Sequence, residues 1–294
     1  MSQAVVYLAR GHGGGAAAAA AFFESYAAQP AGFPHELIVI TKGWDGVIGR
    51  EKLDQLANKH YGRVIDLPDD GFDLGAYMRV CDRIDHEWVC FLNTHSRIQS
   101  DGWLGKLRRA AELPGVGAAG ATGSWSSQIP RLRNLPGDVL DYAKWKGPMR
   151  AVALVPFVTG YHFPRRLLTH FRDFRLFPNP YLRSNSILLR RELFRKFTAH
   201  GNVPRTKHEA GIWEAGRSSL TGFLIENSMR PVVVAGNGSV FDICDWQRSY
   251  TFWSGEQQNL MVADNRTATY TEATLHGRRM LQRYAWGHVE TRSE

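Results

Sequence analysis

Five apolar runs, each stopping in glycine or polar residues and each followed by a helix-forming stretch, fill the first 120 residues and constrain the fold more than any other feature. They are Ala4–Ala9, Glu36–Thr41, Arg63–Leu67, Trp88–Leu92 and Gly115–Gly120. Between them lie an Ala-rich segment through Tyr26, then Leu53–His60, Leu74–Ile84 and a segment opening at Asp101-Gly102-Trp103-Leu104. Alternation of this kind predicts an α/β fold with a mostly parallel sheet, right-handed crossovers and flanking helices. Such sheets hold ligands beyond the C-terminal ends of their strands. The run Trp88–Leu92 ends there in Asn93-Thr94-His95-Ser96, and Asp69-Asp70-Gly71-Phe72-Asp73 opens a helix just upstream, so two polar clusters are expected to meet at one sheet edge. The plainer reading of the same residues is a buried strand followed by an N-capping turn.

After Gly123 the pattern changes. Pro130, Pro136, Pro148, Pro156 and Pro164 prevent long regular elements, although Leu135–Trp145 has room for one helix. The aromatic content of this stretch is too high for a disordered tether. Order returns with a strand at Ser186–Leu189, helices over Arg191–Phe197 and Trp213–Glu226, and a strand at Pro231–Ala235. A polar and aromatic tail from Asp242 to Trp253 precedes an amphipathic helix at His276–Trp286. Three parts are expected: 1–123, 124–241, and an extension over 242–294 packed on the same domain.

The 36 Lys and Arg exceed the 28 Asp and Glu to give +8, which favours an anionic partner such as a nucleotide, a nucleic acid or a membrane surface. Cys81, Cys90 and Cys244 lack metal-ligand spacing and lie in or near apolar segments, so buried free thiols and a reducing compartment are expected. No leader pattern and no run near the roughly 18–20 apolar residues of a membrane span is visible, so a cytoplasmic protein is expected, with peripheral membrane attachment through basic surface compatible with that. Gly11, Gly13 and Gly14 after the first run admit either a dinucleotide loop or a turn that lets a helix pack closely, and no Gly-Lys-Ser/Thr follows to make a P-loop.

Gly71-Phe72-Asp73-Leu74-Gly75-Ala76-Tyr77 and Phe91-Leu92-Asn93-Thr94, in this order of elements, resemble the GT-A (Rossmann-like) glycosyltransferases of the large family 2, and among them bacterial enzymes related to rhamnan synthesis. The resemblance covers roughly residues 4–236 and extends to Asp264-Asn265-Arg266-Thr267. It implies transfer of a hexose or deoxyhexose from a nucleotide-diphosphate sugar to a glycan or lipid-linked glycan in surface-polysaccharide (capsule or O-antigen) synthesis, with inversion. It also implies an acceptor-side elaboration and a C-terminal helical tail.

In such enzymes the loops after the first strands contact base, ribose and diphosphate, which here points to Arg10, Gly11, Asp45, Asp73, Gly75 and the Asn93, Thr94, His95 turn. Asp45 reads equally well as a turn residue before Gly46, and Asp73 as a helix N-cap. The family's Asp-any-Asp motif, whose carboxylates hold Mg²⁺ or Mn²⁺, is replaced by Asn93-Thr94-His95, a poor set for a hard cation. Either Arg, Lys and His neutralise the leaving group without a metal, or a distant carboxylate such as Asp242 completes an atypical site. The general base that the resemblance implies falls at a helix start within 207–217. Glu214 is preferred and Glu209 is the runner-up, each otherwise an acidic residue favoured at a helix N-terminus. Acceptor contacts are expected from Trp125, Tyr161, His162, Tyr181, Arg183, Asn185 and Arg217, the aromatics reading alternatively as a satellite core. Two further readings stay open. One is a non-catalytic sugar-nucleotide or glycan binder; the other, a basic nucleic-acid-binding module, is weakened because the arginines are scattered through Pro-rich loops.

Overall fold

The computed structural model describes residues 2–128, 169–199 and 201–287. Expectations for Leu135–Trp145, Tyr161 and His162 lie outside them. In chain order the first half runs β1 (Gln3–Arg10), α1 (Gly15–Ala28), β2 (Glu36–Lys42), α2 (Arg50–Lys59), β3 (Arg63–Asp66), α3 (Phe72–Cys81), β4 (Trp88–Leu92), β5 (Arg97–Ile98), α4 (Trp103–Ala111), β6 (Val116–Gly120) and β7 (Gly123–Ser124). The second half runs β8 (Tyr181–Leu182), β9 (Ser186–Arg190), α5 (Arg191–Thr198), α6 (Lys207–Ala215), α7 (Leu220–Glu226), β10 (Arg230–Val234), β11 (Val240–Phe241), β12 (Val262–Ala263), α8 (Asn265–Thr271) and α9 (Leu275–Trp286). A 3₁₀ segment at Ile243–Ser249 stands in the polar and aromatic tail.

Eight strands make one sheet in the order β11-β10-β6-β9-β4-β1-β2-β3. Pairing is parallel from β3 through β2 and β1 to β4 and again between β6 and β10, while β9 runs antiparallel to both β4 and β6 and β11 runs antiparallel to β10. This is the mostly parallel α/β fold expected from the strand-helix alternation. The β1 run Ala4–Ala9 is apolar without interruption because both faces are covered. Val5, Tyr7 and Ala9 belong to one apolar cluster with Phe22, Phe23, Leu53 and Leu107 from α1, α2 and α4, whereas Ala4, Val6 and Leu8 belong to a second with Tyr77, Val80, Phe194 and Leu224 from α3, α5 and α7. Each of these large side chains contributes about 1.5–3 kcal/mol by leaving water.

Two expectations are corrected here. The helix expected over Trp213–Glu226 is two helices. Gly216 takes an extended backbone (φ −80°, ψ −178°), and Ser219 then caps α7 by accepting from the Gly222 N–H at 3.2 Å. Of the three free cysteines, Cys81 and Cys90 are buried, where desolvation pushes each thiol up to about 12, but Cys244 is exposed.

The Pro-rich excursion begins and ends in a small ribbon in which Gly123 and Ser124 of β7 pair with Leu182 and Tyr181 of β8. The Asn179 N–H continues it, donating to Trp125 O at 2.8 Å. Among the described residues no helix is long and apolar enough to cross a membrane.

Candidate functional site

Arg10 and Lys42 are register partners at the C-terminal ends of β1 and β2, so two cations stand side by side where the sheet opens. Gly11 allows the loops beyond them to touch. Its N–H donates to Lys42 O at 3.0 Å, and a Cβ there would lie 2.2 Å from Gly43 O. The Lys42 side chain is 1% exposed, and its ammonium donates to Asp70 O (2.9 Å) and Phe72 O (2.8 Å). Burial lowers its pKa against the opposing pull of Asp69 and Asp73. Arg10 grips Asp69 with two bonds, Nε–Oδ1 3.0 Å and Nη2–Oδ2 3.1 Å, and this holds the Asp69 carboxyl below its ordinary value. Arg79 does the same to Asp70. These side chains, with Gly71, Phe72 and the Asn202–Arg205 strip, line a polar cavity of about 640 Å³.

Asp73 follows directly and faces a second cavity of about 1070 Å³, lined also by Tyr77, Phe91, Phe174, Leu182, Ser184, Trp213 and Glu214. Although Asp73 keeps some exposure, it is walled in by protein, and that burial raises its pKa. The Glu214 carboxylate adds to the rise, while Lys42, Arg10 and His95 oppose it. The two carboxyls therefore interact across the cavity, and His95 of the Asn93–His95 turn lies within electrostatic reach of Asp73. Ser184 Oγ donates to Glu214 Oε1 at 3.2 Å. Tyr181, whose hydroxyl shares a hydrogen with Ser126 Oγ at 3.0 Å, has its pKa raised by burial and then by Glu214. The Tyr77 hydroxyl is buried in the same wall and has no hydrogen-bond partner among the described residues.

Other expected site residues have structural partners. Asn93 Oδ1 accepts from the His95 N–H (3.0 Å) and Ser96 Oγ (3.2 Å), an Asx turn that occupies the oxygen. Thr94 is buried, and its carbonyl accepts from the Tyr7 hydroxyl at 3.1 Å. A Cβ on Gly75 would stand 2.8 Å from Val203 Cγ1, so this glycine lets the Asn202–Arg205 strip pack on α3. Asp45 is exposed on the turn after β2. Glu209 caps its helix: Thr206 Oγ1 accepts the Glu209 N–H at 3.2 Å, and Glu209 Oε2 accepts the Arg205 N–H at 2.6 Å.

Glu214 lies in the last turn of α6, not at a helix start, so the macrodipole presents its negative end there and the favourable field expected for this residue is absent. Arg183 is buried in an ion pair with Asp264 (Nη2–Oδ2 2.7 Å) and lies 4.1 Å over the Phe252 ring. Asn185 is wholly buried, donating to Val262 O at 2.8 Å and accepting from Thr122. Trp125 donates to Ile243 O at 3.0 Å and packs edge-on to Trp286, at the margin of the core cluster that also holds Tyr77 and Phe91. Arg217 is exposed just beyond α6, reaching Phe171 O at 3.5 Å.

The divalent cation that the resemblance implies would belong at the end of β4, and the residues there do not fit one. No carboxylate is present, the Asn93 oxygen is occupied, and the described residues gather no group of three or more His, Cys, Asp or Glu for a metal. Asp242 does not complete such a site. It is doubly bonded to Arg230 (2.9 and 2.8 Å), the first residue of β10, at the opposite edge of the sheet.

Lys42, Asp69, Arg79 and Arg205 were not among the expected site residues. Writing the ends of the first two strands in register puts Lys42 beside Arg10, and that signal was present in the sequence.

No protein-family model matches the sequence, and its comparison with curated proteins finds no match. Among solved structures, the fold is similar to mannosyltransferase PcManGT from Pyrobaculum calidifontis in complex with GDP-Man and Mn²⁺ (12% identity, TM-score 0.40), over 66% of this chain and 46% of that one. It is similar to glucosyl-3-phosphoglycerate synthase from Mycobacterium tuberculosis (17%, 0.37; 72% and 63%) and to CMP:2-keto-3-deoxy-manno-octonic acid synthetase complexed with CTP (12%, 0.40; 78% and 86%). The chain thus spans less than two thirds of the length of the first two. Likeness at this level carries no inference about activity, which has to come from this chain's own side chains.

Proposed function

We propose that this chain is a nucleotide-sugar-dependent glycosyltransferase of the GT-A kind, moving a hexose or deoxyhexose with inversion onto a glycan or lipid-linked glycan acceptor of a bacterial surface polysaccharide. The observation that carries this reading is the junction at Phe72 and Asp73. On one side of it lies a cavity whose four cations, Arg10, Lys42, Arg79 and Arg205, outnumber the Asp69 and Asp70 carboxylates that pair with Arg10 and Arg79, and on the other a larger cavity holding Glu214 and an apolar, aromatic floor. A diphosphate needs the first and a sugar acceptor the second.

In this reading the cations take the negative charge that collects on the nucleotide diphosphate as the anomeric C–O bond breaks. Glu214 accepts the proton of the acceptor hydroxyl as its oxygen attacks the anomeric carbon. Asp73, whose pKa is raised by burial and by Glu214, lies beside Glu214 on the acceptor side of the reacting centre. No metal enters the step. A cytoplasmic site, with peripheral contact of the basic surface with a membrane, completes the proposal.

The occupied Asn93 oxygen also favours a second reading, a binder of sugar nucleotides without turnover. Thermal unfolding with a panel of UDP-, GDP- and dTDP-sugars, each with and without EDTA, tests the first reading. One donor at about 100 times its Kd should stabilise the fold by about 2.7 kcal/mol, unaffected by chelator, and should be slowly hydrolysed. Binding without hydrolysis or transfer selects the second reading. Absence of any shift refutes both, and a shift abolished by EDTA refutes the metal-free site.

A further inference from the structure

Among the described residues five buried side-chain polar atoms have no hydrogen-bond partner, and Tyr77 Oη is the only one whose residue borders either cavity. Gln3 Nε2 and Trp88 Nε1, for example, belong to the first residues of β1 and β4, at the opposite end of the strands. Tyr77 is 4% exposed, and its ring stacks on Phe91 with centroids 4.4 Å apart, so its hydroxyl is held in one place. Asp73 stands four residues earlier in α3, on the same face, and side chains on a helix lean toward the preceding turn. The Tyr77 hydroxyl therefore points toward the turn that carries Asp73. Its surroundings agree: burial raises it well above its ordinary value, Asp73 is the leading charge acting on it, and Glu214 acts in the same sense. It stays protonated, a donor without an acceptor. Asp73 is its complement, because the carboxyl meets the charges of Glu214, Lys42, Arg10 and His95 but receives no hydrogen bond from the described residues. Unpaired buried donors are destabilising, and native structures keep few of them.

We propose that Asp73 and Tyr77 form a subsite that reads one hydroxyl of a sugar ring seated in the larger cavity, the hydroxyl donating to the Asp73 carboxyl and accepting from Tyr77 Oη. The word sugar rests on the glycosyl-transfer reading, but the two unpaired groups do not depend on it. No net charge is required, because a hydroxyl is neutral and donates either to a carboxylate oxygen or to the carbonyl oxygen of a protonated Asp73. The pair asks the ligand to donate and to accept at one atom. An ether oxygen cannot donate to Asp73, and an ammonium cannot accept from Tyr77. A ring that lacks oxygen at that carbon leaves both groups unpaired, so the subsite selects the hydroxylated ring over its deoxy analogue. Tyr77 is thereby a specificity-determining residue, while Glu214 keeps its place at the attacking hydroxyl. Donor and acceptor sugars both carry hydroxyls of this kind, and the experiment separates them.

Tyr77→Phe in the full chain removes the hydroxyl and keeps the ring. Without ligand its Tm should be unchanged or higher, since the hydroxyl has no bond to lose. Calorimetry then compares UDP, GDP and dTDP, their hexose conjugates, and free glucose, galactose and mannose with their monodeoxy forms. A sugar that the native chain prefers over its deoxy form should bind the variant about three- to tenfold more weakly, the loss of one neutral hydrogen bond, and the preference should shrink by the same factor. A loss with nucleotide sugars that is absent with the free nucleotides assigns the hydroxyl to the donor. A loss with the free hexoses alone assigns it to the acceptor. A Tm lowered by more than about 2 °C, the shift one net hydrogen bond produces in a chain of this size, means that Oη already has a partner in the free protein and overturns the proposal. So do sugar affinities equal in both proteins, the result expected if a trapped water satisfies the two groups, and so does failure of every sugar probe to bind. Failure of the glycosyl-transfer reading looks different: free hexoses bind and are weakened in the variant, while no nucleotide sugar is bound or turned over.

Discussion

Replacing Arg183 separates a structural role from an acceptor-binding role. The Arg183 and Asp264 side chains are 8% and 1% exposed, and their bond is 2.7 Å long. Arg183→Met keeps much of the packing over Phe252 but leaves the Asp264 carboxylate buried with, among the described residues, only the Arg266 and Thr267 N–H groups of α8 as partners (3.0 and 2.9 Å). Breaking a buried pair from one side costs about 3–5 kcal/mol. At about 2 °C per kcal/mol, the low end for larger domains, Tm falls by roughly 6–10 °C.

The loss depends on pH in a definite direction. Burial alone would push the Asp264 carboxyl up, yet Arg183 and the two N–H groups bring it below its ordinary 3.8, so in the native chain the pair's stabilisation is present above pH 3.8 and fades as pH falls through the lower folded value. Without Arg183 the desolvation is unopposed by a cation, and the deficit should be larger at pH 7 than at pH 4. Urea unfolding of both proteins at the two pH values measures it. Adding Asp264→Asn should recover part of the loss, since a neutral amide is cheaper to bury and still caps α8. A deficit below about 1 kcal/mol at pH 7, with a raised acceptor KM, would refute the reasoning and return Arg183 to the binding surface.

Glu214→Gln keeps the bond from Ser184 and removes the proton acceptor, so kcat should fall by roughly 10²–10⁴ with donor affinity nearly intact. In the same assay Glu209→Gln should leave kcat within a few-fold and cost at most about 1 kcal/mol of stability as a weakened cap; the reverse order would make Glu209 the base. Gly11→Ala forces a methyl against the Gly43 carbonyl, where neither backbone can yield, and should cost about 1–3 kcal/mol and separate Arg10 from Lys42. Calorimetry showing full nucleotide-sugar affinity in a stable Gly11→Ala protein would refute that reading of the loop.

The sheet was legible where burial on both faces writes a continuous apolar run, as in Ala4–Ala9 and Trp88–Leu92. The direction of β9 was not, because Ser186–Leu189 has the same pattern whichever way it runs. The split between α6 and α7 is written in the caps, Thr206 with Glu209 before α6 and Ser219 before α7, with Gly216 between them. Glu214, expected at a helix start, stands in the last turn of α6, because the helix begins at Lys207 behind the Thr206 cap. Arg183 and Asn185 looked like sugar ligands because Arg and Asn serve both as ligands and as buried hydrogen-bonding hubs, and only the partners Asp264, Thr122 and Val262, distant in sequence, decide between the two. Lys42 reads as the end of an apolar strand, and nothing local announces that its ammonium will be buried against the carbonyls of Asp70 and Phe72.

The β7 and β8 ribbon closes the Pro-rich excursion at its neck. Gly123 and Ser124 are in register with Leu182 and Tyr181, so the two stems are tied by backbone pairing and not by any one side chain. Gln128 and Thr169 both border the larger cavity, so a substitution that shifts this ribbon would be felt in the wall of the cavity where an acceptor would be chosen.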